Sequence, residues 1–200
     1  MLKIKLNLRK VAMIVVCLAS SATMFAQETG MVINGVKWAT CNVDAPGTFA
    51  EKPESPGMFY QWNRNIAWAA TGNIAGWNSS NPNGTIWEKS NDPSPAGWRV
   101  PTFEEIEHLL DKEKVTNEYI KVNDVWGNRF TDKETGNSIF IPFVGNRINP
   151  NGSIDTMGSG YWSSTQDAPD SASALLLVFN QAVKSASKRN NGLLVRCVAE

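Results

Sequence analysis

Short apolar runs set between turn-forming residues are what most constrain this chain. Its 200 residues include 15 glycines and 10 prolines, and those residues punctuate the sequence too often for long helices. Val32-Ile33, Asn34-Gly35 and Val36-Lys37-Trp38 read as a hairpin, because Asn-Gly accepts the positive φ of a tight type I′ turn. Met58 to Trp62 is a further candidate strand, and residues 63–71 could form a short helix burying Ile66 and Trp68. Residues 72–97 are mostly Asn, Gly, Ser, Pro and Thr and read as one long loop. Arg129 to Thr131 and Ser138 to Ile141 flank a turn at 133–137. Tyr161 to Thr165 reads as a strand, and Leu175 to Phe179 as a strand buried on both faces. Val183 to Ser187, Asn191-Gly192 and Leu193 to Val198 suggest a closing hairpin.

One segment carries helical periodicity. Thr102 and Glu105 form a capping box behind Pro101, each side chain serving the other's backbone N–H. Phe103, Ile106, Leu109 and Leu110 then share one face. Glu104, Glu105 and Glu107 lie near the helix N-terminus, where the dipole favours anions. The fold class expected is α+β, with antiparallel strands, one or two helices and long loops.

The N-terminus carries a different signal. Lys3, Lys5, Arg9 and Lys10 precede an uncharged, mostly apolar stretch from Val11 to Ser21, and small and polar residues lead to Ala26. That order reads as a secretory signal peptide over 1–26, with an apolar stretch too short to span a bilayer. The expected protein is therefore exported, to the periplasm, the cell surface or the medium, as a single domain over 27–200 with no transmembrane segment after signal removal. Removal takes four cations and no anion, leaving 15 Lys and Arg against 19 Asp and Glu, a net charge near −4. No basic patch stands out, which argues against a nucleic-acid partner.

Cys41 and Cys197 remain. An oxidising compartment and an even count favour a bridge between them, the alternative being two unpaired buried thiols.

Several blocks occur in one order: GVKWATCNV at 35–43, GMFYQWNR at 57–64, NDPSPAGWRVPTFEEIEHLLD at 91–111, GNSIFIPFVG at 136–145, YWSST at 161–165 and LLVRCV at 193–198. Together they resemble the Fibrobacter succinogenes major paralogous domain and the related Lcl C-terminal-type domains of bacterial surface proteins. The resemblance implies a C-type-lectin-like fold, with its N- and C-terminal strands side by side and Cys41 near Cys197. Relatives often carry a cysteine where this chain has Ser94. Members are exported, often as parts of surface or fimbria-associated proteins, and carbohydrate or protein binding is the usual inference from the fold.

The chemistry-bearing residues point the same way. His108 is the sole histidine and sits in the capped helix, where a solvated side chain is the simplest reading. No catalytic residue, metal ligand or cofactor is therefore expected, and the chain reads as a non-enzymatic module. Asp132, Glu134 and Asp155 do not fall at EF-hand spacing. Trp38, Trp98 and Trp162 read as core. Trp77 and Trp87 lie in the polar loop, where they either stack on a ligand, with Asn78 and Asn81 supplying hydrogen bonds, or pin the loop to the body. The resemblance places a second ligand loop at about 145–160, where Asn146 and Arg147 could read hydroxyls or a carboxylate; a turn-rich connector is the alternative. The expected partner is a glycan or a protein at the cell envelope. The alternative is a structural or accessory subunit of a fimbria-like assembly.

Overall fold

Turn chemistry sets the first hairpin as the sequence indicates. Asn34 and Gly35 take φ of 45° and 80°, and β1 (Met31–Ile33) pairs antiparallel with β2 (Val36–Trp38). The structure is a computed structural model that describes residues 28–200; the expected signal peptide lies outside the described residues. β3 (Tyr60–Gln61) follows a long irregular stretch, and β4 (Trp98–Arg99) leads into the single α-helix among the described residues, α1 (Phe103–Leu110). Its capping box forms: Glu105 N–H donates to Thr102 Oγ1, and Thr102 N–H donates to the Glu105 carboxylate.

The remaining chain is β-structure. β5 (Val115–Val122), β6 (Val125–Asp132) and β7 (Ser138–Pro142) form one three-stranded sheet. β8 (Asn146–Ile148) and β9 (Ser153–Asp155) follow, then β10 (Ser159–Ala168), β11 (Ser171–Val178) and β12 (Gln181–Lys188). β13 (Gly192–Leu193) and β14 (Val198–Ala199) close the described chain. The other sheets have the orders β1-β2-β14-β4, β3-β13-β8-β9 and β10-β11-β12, and all named strands pair antiparallel.

This corrects the expected class. The fold is almost entirely antiparallel β, sandwich-like, rather than α+β of C-type-lectin-like form. The helix expected over 63–71 does not form: Asn63 turns left-handed at φ 54°, and Trp68 bridges back to Phe59 in extended pairing. The closing hairpin is also absent. β12 pairs with β11 instead, while β13 joins β3 and β8.

The sheet β10-β11-β12 separates two cores. Side chains alternate across a strand with period two, so Tyr161, Leu175 and Leu177 enter one core with Ile106 and Leu109 of α1. Their neighbours Trp162, Ala172 and Ala174 enter the other with Trp62 and Trp87. Burial on both faces explains the continuous apolar run at 174–178. Trp62 Nε1 donates to Ser163 O at 2.9 Å, and Trp162 Nε1 donates to Tyr60 O at 2.7 Å, so both indoles are polar-satisfied within the second core.

Candidate functional site

Long loops bury backbone carbonyls that no sheet partner satisfies, and such groups are costly unless paired. Here arginine supplies the pairing. Arg147, on β8, is 1% exposed. Its Nε donates to Ala69 O at 2.7 Å, Nη1 to Gly152 O at 2.6 Å, and Nη2 to Thr71 O and Gly72 O at 3.1 and 3.0 Å. Burial lowers its pKa from the ordinary arginine value, which still leaves it charged. Arg147 thus faces the protein's own carbonyls.

The other predicted residues divide in the same way. Asn146 is a clamp: its Nδ2 donates to Gly158 O at 3.0 Å and its Oδ1 accepts from Gly160 N at 2.7 Å. Trp87 is 8% exposed, donates from Nε1 to Asn91 O at 3.0 Å, and meets Trp62 edge-on with centroids 5.7 Å apart. Trp77 is half-buried against Trp68, with centroids 5.0 Å apart. Its ring covers Gly152 and Gly192, where a Cβ would approach it to 2.5 and 2.9 Å. Asn78 is exposed; its Oδ1 accepts from Ser80 N and Ser80 Oγ at 3.0 and 2.7 Å, and its carbonyl accepts from Gln61 Nε2 at 2.6 Å. The structure therefore brings the two predicted loops together, Trp77 on Gly152 and Arg147 under residues 69–72. It does so by turning side chains inward.

The expected Cys41–Cys197 bridge is not formed. Both thiols are free and buried, although β2 and β14 are neighbours. Cys197 Sγ instead donates to Ser94 Oγ at 3.0 Å. Burial raises both thiol pKa values, that of Cys197 strongly, so neither carries the thiolate character of a reactive cysteine. His108 is exposed, with Nδ1 3.2 Å from Asn34 O.

Three further surface features stand out, one of which takes in Trp87 from the predicted set. The first is an aromatic pair on the β5–β6 hairpin. The register sets Tyr119 opposite Asn128 and Lys121 opposite Trp126, so Tyr119 and Trp126 share a face. Their rings stack 4.8 Å apart and 7° from parallel, and Trp126 is 47% exposed. Asn123 Nδ2 ties the hairpin tip to Glu54 Oε1 at 2.8 Å, and Lys121 pairs with Asp124 at 2.8 Å. The signal available in the sequence was Tyr and Trp separated by Asn123-Asp124, a pair able to take the positive φ (45° and 67°) of a tight turn.

The second is a cleft of about 490 Å³ lined by Trp87, Asp92, Trp98 and Arg99 among others. Its charged groups are internally engaged. Arg99 forms a bidentate pair with Glu105 at 2.6 and 2.8 Å, and Asp92 accepts from Ser94 N and Val100 N at 2.8 and 3.0 Å. Burial tends to raise the Glu105 carboxyl, but Arg99 and the Thr102 N–H outweigh it and hold its pKa below the usual value. The third is a cleft of about 550 Å³ where the end of α1, the start of β5 and the β11–β12 turn meet.

The model of the Lcl C-terminal domain family matches residues 32–199, and the chain belongs to that family. Membership suggests a surface or binding module and specifies no ligand. No curated protein and no solved structure matches the chain.

Proposed function

We propose that this chain is an exported, non-enzymatic binding module of the cell envelope that recognises a glycan or a protein. The observation that carries the reading is the parallel Tyr119–Trp126 pair, with Trp126 exposed and Tyr119 half-buried. Flat aromatic surface that is apolar in body and wet at its rim is enriched where proteins bind partners. Its hairpin is fixed at the tip through Asn123 and Glu54, so little ordering entropy is lost on binding. Trp77 and Asn78 keep exposed surface and form a second place to test; Trp87, Asn146 and Arg147 contribute through the loop shape they impose. Export rests on the basic-then-apolar pattern of residues 1–26, and the quoted sequence blocks support kinship with the Fibrobacter succinogenes major paralogous domain.

The test is a broad glycan array probed with the purified protein and with Trp126→Ala and Trp77→Ala. Binding lost in Trp126→Ala with folding intact places the site on the hairpin. Loss in Trp77→Ala alone moves it to the 72–97 loop, and no binding by any form removes the glycan half of the proposal.

A second reading, a structural or accessory subunit of a fimbria-like assembly, is favoured by a separate observation. β5 and β12 are each eight residues long and each lies at the outer edge of its sheet. Open edges of that length offer unpaired backbone groups to another chain.

A further inference from the structure

The two open edges meet at one cleft. Val115, Thr116 and Asn117 of β5 line it on one side, and Ala182 and Val183 of β12 line it on the other. Which backbone groups each edge offers follows from the hairpin turns. Val122 and Val125 flank the two-residue turn Asn123–Asp124, and the residues flanking such a turn exchange both backbone hydrogen bonds. By alternation Thr116, Glu118 and Ile120 bond to β6, while Asn117, Tyr119 and Lys121 turn N–H and C=O to the open side. The bond from Lys133 N to Lys114 O at 2.9 Å fits this parity. On β12, Val178 and Gln181 flank Phe179–Asn180, so Val183 and Ser185 bond to β11, and Ala182 and Lys184 face outward.

The cleft between these edges has an apolar floor that includes Leu110 and Phe130, and a rim carrying Lys112 and Lys133. No carboxylate lines it. Asn117 offers its amide N–H groups, because its Oδ1 is held by Asn128 Nδ2 at 2.8 Å. Backbone donors and acceptors, apolar floor and unopposed cations together specify one kind of occupant.

We infer that the cleft between β5 and β12 is a strand-accepting groove for an extended segment of a partner protein, with apolar residues alternating with Asp or Glu. The inference rests on the protein-ligand half of the proposed function. Strand addition gives affinity through main-chain bonds and specificity through alternate side chains. Here alternate residues would meet the apolar floor and the lysine rim.

A displayed library of short random peptides, selected on the purified protein, tests this. The peptides expected are extended, acidic and apolar in alternation. N-methylation of alternate backbone amides in the best peptide should weaken binding about tenfold or more, because it removes the donors that an edge needs. Combined Lys112→Glu and Lys133→Glu should do the same through the lost charge complementarity. Amide hydrogen exchange at Asn117, Tyr119 and Ala182 should slow when peptide binds, and Ala182→Pro, which removes an outward N–H, should abolish that protection. If Ala182→Pro does not fold, the N-methylated peptide makes the same test on the unaltered protein. Peptides that bind but protect residues away from these edges overturn the groove and leave the protein-ligand reading standing. Recovery of no peptide overturns both, and leaves the glycan reading to the array.

Discussion

Arg147→Met is the sharpest perturbation the structure offers, because it separates a strut from a ligand contact. Methionine keeps much of the stem and removes every donor. Four carbonyls, those of Ala69, Thr71, Gly72 and Gly152, then lose their partner. A hydrogen bond to a charged group nets about 1.5–3 kcal/mol, but these four share one desolvated guanidinium and do not add. Each buried carbonyl left without a donor costs about 1–3 kcal/mol, and local relaxation keeps the four from adding fully, so about 3–5 kcal/mol is the expected loss. For a domain of this size each kcal/mol lowers Tm by about 2–4 °C, so the variant should melt roughly 6–20 °C lower. Arg147→Lys should fall between, since an ammonium is a compact point charge with three donors and cannot span carbonyls on both sides of the fork. Urea denaturation followed by tryptophan fluorescence gives the free energy. Hydrogen exchange should speed first in residues 69–77. A loss below about 1 kcal/mol, with that loop's exchange unchanged, would refute the strut reading and return Arg147 to the candidate ligand residues.

Other predictions follow from equally local geometry. Gly152→Ala combines a left-handed φ of 69° with a Cβ placed 2.5 Å from the Trp77 ring, and should cost about 2–4 kcal/mol. Gly136→Ala, at φ 75° with open space around it, should cost only about 1 kcal/mol; equal losses in denaturation curves would contradict the packing argument. Glu105→Gln keeps the cap and loses the Arg99 ion pair, for about 1 kcal/mol near neutral pH. Because the folded Glu105 pKa is depressed, its contribution is complete above the ordinary Glu value of about 4.3 and is lost as pH falls through the lowered folded value. The gap between wild type and variant should therefore close in acid, and a pH-independent gap would be wrong for an ion pair. Reductant should leave Tm unchanged, since Cys41 and Cys197 are unbridged; a drop of many degrees would reveal a disulfide, which chain entropy values at about 4–5 kcal/mol for so long a loop.

What could be read in advance was whatever the local chain decides. Asn34-Gly35 and the Thr102/Glu105 box acted as their chemistry requires, because a turn and a cap involve only neighbours. The strand at 175–178 was legible because burial on both faces leaves a continuous apolar run. β5 was not legible: Val115–Val122 reads VTNEYIKV, with an exposed or half-buried pattern over most of its length, so no apolar period marks an edge strand there. β12 was legible in part: Val183 to Ser187 reads as a strand, but QAVKSASK carries too little apolar signal to show that its partner is β11. The 63–71 segment misled because Ile66 and Trp68 suggest an amphipathic helix, whereas the left-handed Asn63 redirects the chain and leaves Ile66 53% exposed. For Trp87 the pinning alternative is the one the structure matches. Trp87 sits among polar residues in sequence, yet Trp62, 25 positions earlier, covers it.

The buried arginines explain how loops so rich in Asn and Gly hold one shape. Arg147 gathers carbonyls from 69–72, and Arg189 gathers those of Pro82, Asn83 and Gly84 while its guanidinium lies 4.2 Å from the Trp62 ring centroid. The long loop is thus clamped at its start and near its middle. Neither arginine donates to a carboxylate; their acceptors are carbonyls, which do not titrate, and a guanidinium keeps its proton at any ordinary pH. The clamp should then be indifferent to acid in a way that the Arg99–Glu105 pair is not. As pH falls from about 9 to below the depressed folded Glu105 value, hydrogen-exchange protection across residues 69–84, corrected for intrinsic rates, should stay level while the first turn of α1 loosens at the acid end. If the loop loosened together with α1, a titrating group would have to be holding it, and the carbonyl clamp would be the wrong explanation.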